Sequence, residues 1–191
     1  MGELRDFVAV KLESTELKTD IEVLAFKAVR FRQGLPTESF IKYVNYDGEI
    51  TREIFERTGI SYETLQEEGV DENQAYKEFF DFIGNDVLVT NDMAFYRAFI
   101  NKHNTKVIKT NEERNVEKEK FFFDDDHKKI STQWLAQYLY LGVENYRTAT
   151  LLRYFQIEYD ENNPLGQVEA MGYLLLELQK SMKEQNKTLN I

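Results

Sequence analysis

The sequence predicts an α/β fold, and two observations support that prediction. Three strand-like segments with alternating apolar residues come first, and the third runs into the turn signal Asp47-Gly48. Helical segments follow, and among them lies one short apolar run, residues 86–90, which is typical of a buried parallel strand. The 191 residues suffice for one domain with a substantial core. We therefore expect a sheet with helices packed on it.

The individual elements begin and end at recognisable residues. Gly34 marks a hairpin after the second strand. Ser61 and Asp71 suit the N-caps of two helices, and Gly59 and Gly84 suit helix ends. Strands are predicted over 7–13, 21–33, 39–45 and 86–90, and helices over 51–58, 62–68, 71–83, 93–102, 131–142, 146–155 and 167–184.

One stretch differs in composition from the rest of the chain. Residues 104–130 are charged and polar, and we predict a solvent-exposed insertion, with a hairpin as one form it could take, in a single domain over 1–191. The run Phe-Phe-Phe at 121–123 is either a partner-binding patch or a buried strand. The following Asp-Asp-Asp-His, 124–127, fits a solvated acidic loop better than a metal site, because consecutive residues cannot all face one ion.

Composition narrows the classes of protein. The chain has no cysteine, which excludes disulfides and thiolate metal sites, and no apolar run approaches the length of a membrane span. With no signal-like N-terminus, we expect a cytoplasmic protein and no membrane partner. The net charge of −10 opposes tight binding to a phosphate backbone by the bare surface, although it is compatible with an enzyme whose acids hold Mg²⁺.

Several short motifs occur in a fixed order along the chain. Residues 7–17 read Phe-Val-Ala-Val-Lys-Leu-Glu-Ser-Thr-Glu-Leu, and residues 58–65 read Thr-Gly-Ile-Ser-Tyr-Glu-Thr-Leu. Residues 87–96 read Val-Leu-Val-Thr-Asn-Asp-Met-Ala-Phe-Tyr, and Asn-Tyr-Arg follows at 145–147. In this order they resemble the DnaQ-like (DEDDh) 3′–5′ exonucleases of the polymerase III epsilon and PolC type. The resemblance implies an RNase H-like fold with a mixed sheet of about five strands flanked by helices.

The same motifs depart from that family at the catalytic positions. The family uses four carboxylates and a histidine. Here Lys11 replaces the first acid, Glu13 matches the second, and Tyr96 falls at the third. Asn162 and Gln167 fall at the histidine and the last acid, or Asn163 and Val168 if the register shifts by one. Four of five positions are therefore lost in either register.

The first change matters because the family's reaction is metal-assisted hydrolysis of a phosphodiester. Lys11 and Glu13 lie two apart on a strand and share a face. An ammonium about 4 Å from a divalent ion, at an effective dielectric of about 20, is repelled by roughly 8 kcal/mol. We therefore expect Lys11 to pair with Glu13 in place of metal, with no cofactor. The alternative interpretation of Lys11 and Glu13 is an ordinary ion pair at a strand end in a protein unrelated to nucleases.

These features lead to a hypothesis and two alternatives. The hypothesis is a catalytically degenerate homologue, a pseudoenzyme that binds a protein partner or a single-stranded nucleic-acid end. The first alternative is an active 3′–5′ exonuclease on DNA or RNA that holds Mg²⁺ or Mn²⁺ with Glu13 and displaced acids, Asp92 or Glu169. The second is a self-associating structural protein, for example a homodimer. Candidate cleft residues besides the motif positions are Ser14, Thr15, Asn91, Asp92 and Phe95.

Overall fold

A five-stranded mixed sheet forms the centre of the protein. The computed structural model describes residues 3–15, 21–114 and 128–188, with the side chains of 104–114 excepted. Strand order is β3-β2-β1-β4-β5. The first three strands pair antiparallel, whereas β4 and β5 run parallel to β1. The strands are β1 Phe7–Ser14, β2 Val23–Arg32, β3 Leu35–Tyr43, β4 Leu88–Thr90 and β5 Lys129–Ser131.

Seven helices surround this sheet in the described part of the chain. They are α1 Arg52–Thr58, α2 Tyr62–Glu68, α3 Glu72–Ile83, α4 Met93–Arg114, α5 Thr132–Tyr138, α6 Thr148–Tyr154 and α7 Gly166–Glu184. Within the described ranges, none of them combines the length and the apolar character needed to cross a bilayer.

The alternation of side chains along β1 assigns each of its residues to one of two cores. Phe7 and Ala9 face one side and pack with α7, whose Leu174 is fully buried there. Val8 and Val10 face the other side and pack with α3 and α4. Because both faces of β1 are covered, the strand is central, and any polar residue on it lies in or beside a core.

The predicted helix caps are confirmed. The Ser61 side chain accepts a hydrogen bond from the Thr64 amide, and the Asp71 side chain accepts from the amides of two residues in the first turn of α3. Gly59 and Gly84 end α1 and α3 with positive φ, 69° and 58°, which glycine adopts without a Cβ clash.

The region predicted as an insertion differs from expectation. The suggestion of a hairpin is wrong for residues 104–114, which continue α4 to Arg114. No glycine or proline interrupts that stretch, so nothing in its backbone chemistry stops the helix. The region also ends in the short strand β5, which was not predicted. Residues 115–127, with the Phe-Phe-Phe and Asp-Asp-Asp-His runs, lie outside the described residues.

Candidate functional site

Charged residues appear where the apolar stripe on the α7 face of the sheet ends. On β1 the stripe runs Phe7, Ala9, Lys11, Glu13, and the residue that faces Lys11 across the β1–β2 ladder is Lys27. Directly opposed residues of an antiparallel pair project to the same side of the sheet. The fold therefore brings two lysines and one glutamate to a single point at the end of the core.

The two lysines bind the same carboxylate oxygen. Lys11 Nζ lies 2.8 Å and Lys27 Nζ lies 3.0 Å from Glu13 Oε1. The side chains of Glu13 and Lys27 are only 5% and 6% exposed, whereas that of Lys11 is 34% exposed. Glu13 thus sits in a shielded environment where its charge is more than balanced by two ammonium groups.

This arrangement does not fit a divalent metal. Mg²⁺ requires near-octahedral oxygen ligands, commonly from several carboxylates. Among the described residues, no three His, Cys, Asp or Glu side chains are grouped so that they could hold a metal ion. Glu13, the acid at the second predicted motif position, is already bound by Lys11 and Lys27.

A cavity of about 360 Å³ opens onto this cluster and contains most of the predicted positions. Asn162 and Gln167 line it together with Lys11 and Glu13, and so do Asn163 and Val168 of the shifted register. Asn162 comes from the loop before α7, and Gln167 from its first turn. The residues predicted for the third motif therefore lie in one cavity with Lys11 and Glu13 in either register.

A second cavity, of about 210 Å³, lies on the other side of Lys11 and Glu13 and is lined by the second motif. Asn91, Asp92 and Phe95 all contribute to it. Asp92 Oδ1 accepts a hydrogen bond from the Phe95 amide at 3.0 Å, in the manner of an N-cap for α4. The Asn91 side chain accepts from Thr132 Oγ1 at 3.0 Å, which ties β4 to α5.

Tyr96 is the predicted motif position that the structure does not bring to the cleft. Its side chain is 3% exposed and packs in the core between the sheet, α3 and α4. Burial raises the pKa of the Tyr96 phenol well above its ordinary value. Adjacent helical residues point about 100° apart, so Phe95 faces the cavity while Tyr96 faces the core.

Ser14 and Thr15 are buried and do not line either cavity. Their carbonyl oxygens accept hydrogen bonds from Arg57 Nη2, at 2.9 and 2.8 Å. The Thr15 hydroxyl oxygen also accepts from the Glu22 amide at 3.2 Å. These residues fix the end of β1, and Arg57, which lines both cavities, connects that strand end to α1.

Sequence reasoning missed Lys27 and Arg57. A lysine among the apolar residues 23–29 of β2 was a usable signal, and in the strand register it lies opposite Lys11. The other candidates lie elsewhere. Glu169 lines neither cavity. His103 is buried, and its ring stacks on Tyr76 at 3.7 Å between centroids. His127 lies outside the described residues.

The sheet order and the helices on both faces define the RNase H-like exonuclease class of fold. Exonuclease X in complex with 5′ overhanging duplex DNA superposes with a TM-score of 0.59, at 14% identity over 95% of this chain and 94% of that one. S. pombe Pop2p, in its Mg²⁺- and Mn²⁺-bound form, superposes with a TM-score of 0.65 at 8% identity, covering 97% of this chain and 86% of that one.

The sequence assigns the family. The RNase_T family, described as Exonuclease, matches residues 8–162, and the chain belongs to it. It is 27% identical to the PolC-type DNA polymerase III of Bacillus subtilis over 180 residues, or 93% of this chain. It is 28% identical to the PolC-type DNA polymerase III of Halalkalibacterium halodurans over 183 residues, or 95% of this chain. The matched region is 12% of the length of each relative.

Proposed function

We propose that this chain is a catalytically degenerate exonuclease homologue that acts by binding, without turning over nucleic acid. The observation that carries the proposal is the pair of lysines on Glu13 Oε1. The cluster occupies the end of β1, the position at which the first motif of the family supplies its acid pair. In this chain the position carries a net positive charge before any ligand arrives.

Electrostatics supports the loss of metal binding. Each ammonium lies about 3 Å from Glu13 Oε1, so an ion bound to that oxygen would meet both. Each lysine about 4 Å from a divalent ion contributes roughly 8 kcal/mol of repulsion at an effective dielectric of about 20. Moving Lys11 to solvent would not remove the problem, because the Lys27 side chain is only 6% exposed and lies 3.0 Å from Glu13 Oε1.

The composition of the cleft favours a protein partner over a nucleic-acid end. The charges of the side chains that line the 360 Å³ cavity cancel. Three of these side chains are basic and three are acidic: Lys11, Lys27, Arg57, Glu13, Glu56 and Glu161. A nucleic-acid strand binds a protein mainly because basic side chains neutralise its phosphates and so release the counterions of the strand into solution. This cleft has no excess of basic side chains, and the chain carries a net charge of −10.

One observation favours the alternative of an active exonuclease. Glu13 and Asp92 line the same 210 Å³ cavity, so two carboxylates share one space. In that case Asp92 would act as a displaced metal ligand. The same residue, however, caps α4, and Glu13 would have to release both lysines.

Two measurements test the proposal. Millimolar Mg²⁺ or Mn²⁺ should leave the melting temperature unchanged, and labelled single-stranded DNA or RNA should not be trimmed in the presence of Mn²⁺. A matched variant, Lys11→Asp with Lys27→Met, removes both ammoniums and should show a larger metal-dependent rise in melting temperature than the wild type. Trimming by the wild type that disappears in both Glu13→Gln and Asp92→Asn would establish the enzyme instead. Asparagine retains the capping oxygen, so Asp92→Asn should stay folded.

A further inference from the structure

A cavity that borders the cleft is not used by the proposed function. It has a volume of about 590 Å³ and lies between the first turn of α4, strand β5 and helix α5. It adjoins the 210 Å³ cavity through Asp92, which lines both. Small-molecule sites in proteins have volumes of about 300–1,000 Å³, so this cavity is large enough for a ligand of its own.

The lining of this cavity combines two cations with an exposed indole. Arg97 comes from α4, Lys129 from β5 and Trp134 from α5. In a protein with an excess of acidic residues, two separate elements thus bring two positive charges to one space, and a third brings the indole. Burial, together with the charge of Arg97, lowers the pKa of Lys129. Asp92 is the acidic residue of the lining, and its carboxylate already accepts from the Phe95 amide.

Trp134 is positioned to stack with a ligand. It is 56% exposed although it is one of the largest apolar side chains in the protein. Its ring plane lies 3° from that of Tyr138, with 5.4 Å between the centroids, so the tyrosine fixes the orientation of the indole. The α5 helix begins at Ser131, whose hydroxyl caps the Trp134 amide and donates to the Asn91 carbonyl. The indole is therefore held by a defined helix start.

We propose that this cavity binds a nucleoside monophosphate, with its phosphate on Arg97 and Lys129 and its base stacked on Trp134. Arginine and lysine bind phosphate through charge-assisted hydrogen bonds. A base presents a flat face that stacks on an aromatic ring whatever its identity. A mononucleotide carries a single phosphate, so the acidic surface that opposes a long polyanion opposes it much less.

The single tryptophan of the chain makes the test direct, because all tryptophan emission comes from this site. Titration with AMP should change that emission in a saturable way. Adenosine and inorganic phosphate, each supplying half of the ligand, should bind more weakly. Free N-acetyltryptophanamide in the same titration corrects for absorption by the nucleotide.

Substitutions in the cavity locate the binding. Arg97→Ala and Lys129→Met should each weaken AMP binding by about tenfold, as expected for the loss of one charge-assisted hydrogen bond. Arg153→Ala is the matched control, since Arg153 is 78% exposed on α6 and does not line the cavity. Trp134→Leu, followed by calorimetry because the signal is removed, should also weaken binding about tenfold.

Two results would overturn this proposal. One is the absence of a saturable change at millimolar AMP in protein whose circular dichroism is native. The other is an equal affinity in Arg97→Ala, Lys129→Met and Arg153→Ala. Neither result bears on the proposal for the cleft at Glu13, which is tested by the metal and trimming experiments.

Discussion

Replacing Glu13 with glutamine tests the lysine cluster directly. Glutamine keeps the length of the side chain and an oxygen that accepts hydrogen bonds, but it removes the negative charge. Because both ammoniums bind one oxygen, their Nζ atoms lie no farther apart than the sum of the two contact distances, about 5.8 Å. Without the carboxylate they repel each other, and Lys27 is left as an uncompensated buried charge.

The expected loss of stability follows from that burial. Removing one partner of a buried ion pair costs about 3–5 kcal/mol. Lys11 is 34% exposed and can turn toward solvent, so we expect a value near the lower limit. A loss of about 3 kcal/mol in a chain of this size lowers the melting temperature by roughly 6–12 °C.

Chemical denaturation followed by circular dichroism measures the effect. Glu56→Gln is the matched control, because Glu56 lines the same cavity but pairs with Arg52 at the surface, with side chains 60% and 90% exposed. That change should cost at most about 0.5 kcal/mol.

A double-mutant cycle isolates the pair. Lys27→Met should be tolerated better in the Glu13→Gln background than alone, with a coupling energy above about 1 kcal/mol. The reasoning is refuted if Glu13→Gln costs less than about 1 kcal/mol, or if the two changes are additive.

Two further predictions concern the core. Burial raises the pKa of Tyr76 and of Tyr96 above the ordinary value near 10. In the unfolded chain the phenols lose their protons from about pH 10, whereas in the folded protein these two keep theirs. The free energy of unfolding should therefore fall as pH rises above about 10, and replacing both tyrosines with phenylalanine should reduce that fall. Gly172→Ala should cost about 1–3 kcal/mol, because a Cβ there would lie 2.2 Å from the Phe31 ring. Denaturation at several pH values measures the first effect, and a melting curve the second.

Each of these predictions has a control. Tyr140→Phe should leave the alkaline fall unchanged, because Tyr140 is 83% exposed. A fall that is identical in the double Tyr→Phe protein and the wild type would contradict the burial argument. Ser181→Ala, on the same helix as Gly172, should be nearly neutral. A stabilised Gly172→Ala protein would mean that α7 can move away from Phe31 at little cost.

Local chemistry made much of the fold predictable from the sequence. Apolar alternation marked the three antiparallel strands, and Ser61, Asp71, Gly59 and Gly84 marked helix ends within a residue or two. These signals act over a few neighbouring residues, so a single sequence contains them. The end of α4 and strand β5 were missed, because a polar helix and a three-residue strand carry little periodic signal.

The candidate site was only partly predictable, because its decisive contact is made across the sheet. The sequence by itself determined that Lys11 and Glu13 share a face, and the family resemblance led to the prediction that four catalytic positions are replaced. Tertiary structure decided that Tyr96 is buried away from the cleft and that Lys27, 14 residues beyond Glu13, completes the cluster. Helix phase and strand register set those outcomes, and both depend on packing against elements distant in sequence. Whether the glutamate meets a metal or two ammoniums is therefore a property of the folded sheet.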